Sequence, residues 1–194
     1  YEVGNLTLFT FGGDYGLFTH IQQYLYLYIP LLTMGLMSRE LSSGSIKLLY
    51  SSPVTNKEIV LGKYFAMLVY GLVLIGILAI YVLYSACTIK AFDFTVALSG
   101  LLGLYLLICA YASIGLFMSS LTSYQVVSAM GTLAILAALS LVRGMWQDIE
   151  FVRDITYWLS INGRADEFVN GLICSEDILY FLIVIALFLT LTIL

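Results

Sequence analysis

Charge is scarce in this chain. Of 194 residues, 8 are Lys or Arg and 12 are Asp or Glu, so charged side chains make up 10% of the sequence. A soluble domain carries roughly 25%. Hydrophobic residues reach 61%, more than one core of this size can hide while leaving a wettable surface. These proportions exclude a soluble enzyme and a disordered tail. A net charge of −4 with no long basic run also excludes a nucleic-acid binder. Histidine occurs once, as His20, and the three cysteines (Cys87, Cys109 and Cys174) are far apart. So few ligands give no metal-binding spacing, and an odd cysteine count implies no disulfide framework. Proline occurs twice. Pro30 predicts a kink in the first apolar run, and Pro53 a break in the chain. A phosphate-binding loop is also missing. Gly62-Lys63 resembles part of one, but Lys57 stands where the motif needs glycine and Tyr64 where it needs Ser or Thr.

What the chain does have is long apolar runs. Residues 64–86 and 94–142 carry no charged side chain. In hydrocarbon every backbone polar group must be satisfied within its own segment, so such runs are expected to be helices. The sequence therefore predicts an all-α, polytopic membrane bundle forming a single transmembrane domain. Its five spans are expected at 21–37, 56–86, 94–118, 123–142 and 176–194. Residues 1–20 precede the first expected span, 39–52 are expected as an amphipathic helix, and 143–175 as an amphipathic segment too short and too charged to cross but suited to lie at an interface. Tyr24, Tyr26 and Tyr28 alternate as in a strand, but the run continues apolar through Met37, which favours a helix. The chain opens at Tyr1 and stops inside an apolar run, so it reads as a piece of a longer protein.

Local signals place the ends of these helices. Thr55 and Glu58 have capping-box spacing and predict a sharp start near residue 56. Thr122 and Gln125 repeat that spacing before the fourth run. Ser175-Glu176-Asp177 suits the positive end of the last helix. Gly12-Gly13 and Asn162-Gly163 read as turns. Lys63, at a span edge, is expected to snorkel toward headgroups. Ser99/Gly103, Ser128/Thr132 and Ala134/Ala138 are small residues at helix-contact spacing. They serve either packing inside one bundle or a seam against a second subunit.

Two regions are candidates for function. The first span holds Gln22, Gln23, Tyr24, Tyr26 and Tyr28, which need partners or water at membrane depth. They form either an aromatic belt at the surface or, through Gln22, Gln23 and Tyr26, the wall of a substrate path. The second region is 38–66. Arg39, Ser43 and Lys47 make a polar stripe, Ile46, Leu49 and Tyr50 an apolar one, and a capped helix follows. Such a helix between two spans offers a surface that another protein can push on. Four basic residues lie in 38–63 and four on the opposite side, so the Lys/Arg count leaves orientation open.

The 38–66 stretch resembles the signature of the membrane permease subunits of type-two ATP-binding-cassette exporters. The matching residues are Arg39-Glu40, Gly44-Ser45, Leu49, Pro53-Val54, Ile59, Gly62-Lys63 and Ala66. The overall flavour is closest to bacterial gliding-motility-associated permeases. Ser45 departs from the commoner Thr, and Lys47 stands where an acid is frequent. The resemblance implies spans two to six of a six-span subunit that does no chemistry itself. Its partners would be a separate ATPase subunit that holds ATP and Mg, a second permease copy or half, and membrane lipids. The ATPase-coupling interface would be Arg39, Glu40, Ser43, Gly44, Ser45, Lys47 and Pro53. Thr55, Glu58, Gly62 and Lys63 would join it to the next span. The resemblance places 38–58 and 119–125 inside, and 1–20, 87–94 and 143–175 outside, in a bacterial inner membrane. Two rival readings are a membrane anchor or assembly subunit without transport, and a membrane-embedded lipid-modifying enzyme. The enzyme would have only His20, Asp148, Glu150 and Asp154 to work with. The transported substrate is not legible.

Overall fold

The computed structural model describes residues 10–11, 16–45, 55–88, 92–145, 168 and 175–193, with side chains omitted at 141–145. No described residue lies in a strand, and the helices whose bounds are described are α1 (Leu17–Thr33), α2 (Ser38–Ser43), α3 (Asn56–Thr88), α4 (Phe94–Leu121), α5 (Gln125–Met145) and α6 (Ser175–Ile193). The chain is a polytopic helical bundle, as its composition requires.

By length and composition α3, α4 and α6 can each cross a membrane, while α5 carries a shorter apolar stretch over Gln125–Ser140. The 33 residues of α3 are about 50 Å long at 1.5 Å per residue. A hydrocarbon core is about 30 Å thick, so α3 tilts or projects beyond it. Asn162-Gly163, Gly12-Gly13, Cys174 and nearly all of the expected external segment 143–175 lie outside the described residues.

α4 is the centre of the bundle. Over its apolar window 67% of residues are buried, against 17% for α3, and every other described helix packs on it. Small side chains make this possible, because glycine and serine let neighbours come close. A Cβ on Gly100 would lie 2.4 Å from the Phe18 ring, and one on Gly103 would lie 2.4 Å from Phe168. At Gly115 the obstacle would be Thr33 Oγ1, 2.0 Å away. Ser99 and Gly103 thus act inside the bundle, as do Ser128 and Thr132, which are buried. Ala134 and Ala138 are exposed instead, on a face of α5 that no described helix covers.

Two apolar clusters fill the interior. The larger includes Phe11, Phe18, Leu104, Ile108, Tyr111, Phe168 and Phe181. The smaller joins Met37 to Val60, Tyr64 and Met67 of α3 and to Ala112 and Leu116 of α4. It lies at the end of the bundle where α1, α4 and α6 finish and α3 and α5 begin.

Candidate functional site around the short helix α2

α1 stops at Thr33, whose Oγ1 donates back to the carbonyl of Ile29 at 3.0 Å. The first span was expected to run on to residue 37. Residues 34–37 form a turn instead, because Ser119 of α4 captures the backbone there. Its Oγ accepts from the N–H groups of Met37 at 2.9 Å and Ser38 at 3.0 Å, and donates to the carbonyl of Met34 at 3.1 Å. Ser119 is fully buried. The first N–H groups of a helix have no partner within it, and α2 has no cap from its own side chains. Ser119 satisfies that end from another helix.

α2 then runs for six residues and ends at Gly44, with φ 72 in the left-handed region. The helix expected across 39–52 is interrupted at this point, since a left-handed residue cannot continue an α-helix. Ser43 Oγ lies 2.8 Å from Ser45 Oγ in the same turn. Lys47 and Pro53 lie outside the described residues.

α3 begins with a complete capping box. Thr55 N–H donates to Glu58 Oε2 at 2.8 Å, and Glu58 N–H donates to Thr55 Oγ1 at 3.4 Å. The similar spacing at Thr122 and Gln125 acts differently. Thr122 Oγ1 accepts from Tyr124 N–H at 3.2 Å, closing a local turn, and α5 starts after Tyr124. Lys63 does not snorkel outward. Its Nζ donates to the carbonyl of Leu36 and pairs with Glu40 Oε1 at 2.5 Å. Gly62 faces open space on the outside of α3. Arg39 is exposed on α2 and its guanidinium lies over Gly35.

Beside α2 lies a cleft of about 290 Å³, lined among others by Glu40, Leu41, Asn56, Ile59, Ser120 and Thr192. Four elements meet there. The sequence profile of the family described as "ABC-2 family transporter protein" matches residues 20–194, which takes in all of α1 to α6 except the first turn of α1.

The chain belongs to that family.

It is accordingly an integral membrane protein and a permease component of an ABC transporter, a role that calls for no catalytic group of its own. No curated protein and no solved structure compared with the chain gives a significant match. In this ABC-2 permease the stretch that carries the family resemblance contains α2, Gly44, the capping box and Lys63. The structure brings Glu40 and Lys63 together and leaves Arg39 on the surface.

Gln22, Gln23 and Tyr26 also come together. With Ser140 of α5 they line a second cavity, of about 350 Å³. Gln22 is buried and Gln23 exposed. Tyr26 donates to the carbonyl of Leu133 at 3.4 Å and meets Tyr111 edge-on at 6.4 Å. Tyr24 and Tyr28 point elsewhere. They line an apolar groove of about 460 Å³ between α1 and α3, where the Tyr28 and Tyr70 hydroxyls lie 2.6 Å apart. The alternating tyrosines are thus divided between two faces of a helix. Among the described residues no cluster of His, Cys, Asp or Glu could hold a metal ion, and His20 is exposed. Sequence reasoning missed Ser119. Its signal was a Ser119-Ser120 pair closing an apolar run just before a three-residue hairpin.

Proposed function

We propose that this permease couples to a separate ATPase subunit and that ATP hydrolysis there drives export. In this reading α2 is the coupling helix and Arg39 its electrostatic link to the ATPase. Glu40 and Lys63 hold the helix against α3, and Ser43, Gly44 and Ser45 shape the turn that follows, with Lys47 and Pro53 further along the same surface. ATP and Mg belong to the ATPase. Two permease copies or halves enclose the path, with Gln22, Gln23 and Tyr26 on its wall. The 143–175 segment shapes the exit on the outer side. The flavour of the sequence favours a bacterial inner membrane and a relative of the gliding-motility-associated permeases.

The observation that carries this reading is the setting of α2. A six-residue helix standing alone would not hold its shape in water, yet α2 is tied to both α3 and α4 and presents Arg39 outward. A ligand or motor can shift an equilibrium only by binding two states differently, and a pinned, exposed helix is a surface on which that difference can act. Charge reversal of the exposed residue alone, Arg39→Glu, which leaves the Glu40–Lys63 pair in place, tests it in vesicles that hold the permease and its ATPase. The expected outcome is loss of the permease's effect on the hydrolysis rate, with helical content unchanged. An unaltered rate would count against the coupling role.

A further inference from the structure

We infer that Ser119 is the joint through which α2 drives the centre of the bundle, so that α4, rather than α3 alone, receives the coupling movement. This rests on the coupling role proposed for α2.

Three observations carry it. First, the ties from α2 to its neighbours differ in kind. To α3 it is linked through the long Lys63 side chain, which pairs with Glu40 and also holds the Leu36 carbonyl just before α2. Such a link ends in a flexible four-carbon stem that can follow a moving partner. To α4 it is linked through its own backbone: the N–H groups of Met37 and Ser38 both bond to Ser119 Oγ. A hydroxyl one carbon from its own backbone gives little slack. Second, the backbone of α2 packs on α4 and α5. Third, Ser119 also donates to the carbonyl of Met34, so one oxygen holds the end of α1, the start of α2 and the last turn of α4. Because α4 touches α1, α3, α5 and α6, displacing its end moves the whole interior, including the cavity at Gln22 and Tyr26. The capped α3 would by comparison act as a guide. Ser119 touches no proposed substrate-path residue and is a positioning residue.

The test uses the full chain in lipid nanodiscs, alone and with its ATPase. In the chain alone, Ser119→Ala is expected to speed hydrogen exchange at the Met37 and Ser38 amides about tenfold, the scale of one lost internal hydrogen bond. Ser119→Thr, which keeps the hydroxyl, is expected to restore protection. If the alanine variant fails to fold, Ser119→Cys supplies the same comparison, because a thiol is a poor acceptor. In the complex, spin labels at S42C, an exposed position of α2 outside the proposed coupling residues, and at Y124C, with the three native cysteines replaced, report the separation of α2 from the end of α4, and a third label on the ATPase reports their movement relative to it. On exchange of ADP for ATP the wild-type distance is expected to stay constant while both labels move relative to the ATPase. In Ser119→Ala the distance is expected to change, and in Lys63→Met to stay constant. Unchanged exchange in Ser119→Ala, or a distance that changes in the wild type, would overturn the joint. Failure of the labels to move relative to the ATPase would instead overturn the coupling role and leave the exchange result standing.

Discussion

A single hydroxyl or a missing methyl decides how closely these helices approach. Thr33 and Gly115 are the tightest case, with the space for a Cβ on Gly115 already taken by Thr33 Oγ1. Gly115→Ala is therefore expected to destabilise the bundle by about 1–3 kcal/mol through overpacking. Thr33→Ala should recover part of that loss when combined with it, because it removes the hydroxyl but keeps the Thr33 Cβ, 2.6 Å from the same position. Detergent titration of helical signal in the four members of the cycle checks this. Additive losses would mean that the contact is not the limiting one. Glu40 shows the other side of residue-scale reading. The sequence marks it as a charge at a membrane edge, but only the fold shows that Lys63, 23 positions away, is its partner. That distance in sequence is why Lys63 reads as a snorkelling side chain until the two helices are seen together.

At the scale of the element, legibility follows range. The Thr55/Glu58 cap was readable because both partners lie within one turn and nothing distant competes. Thr122/Gln125 has the same spacing, yet the chain there turns so tightly between α4 and α5 that Thr122 is spent on Tyr124 N–H. The expected 39–52 helix fits its polar and apolar stripes, but periodicity does not register a left-handed residue. Gly44 supplied the missing signal, since glycine after a short polar run is a common helix end. Gly44→Ala is expected to cost about 1–2 kcal/mol, because a Cβ in that region meets its own carbonyl. Gly44→Asn should cost less. Amide exchange along α2 measures both, and equal protection in all three proteins would refute the strain at this position. The C-terminal end of α1 is not legible in the sequence for a different reason: its stop is imposed by Ser119, which lies 86 positions beyond Thr33.

For the molecule as a whole, scarcity of charge was sufficient to predict a helical membrane bundle, and the 38–66 stretch to point to its family. Which helix lies at the centre was not readable, because α3, α4 and α6 are about equally apolar. The small residues of α4 set it apart, and their effect appears only once Phe18, Thr33 and Phe168 occupy the space they leave. The same geometry gathers α2, the start of α3 and the ends of α4 and α6 around one cleft, and the coupling role rests on that end facing the cell interior. A photo-activated cross-linker placed at Arg39 in the intact membrane tests this most directly. The account predicts an adduct between this chain and an ATPase subunit. Reaction of the same position with a membrane-impermeant reagent added outside intact cells, with no such adduct, would contradict it.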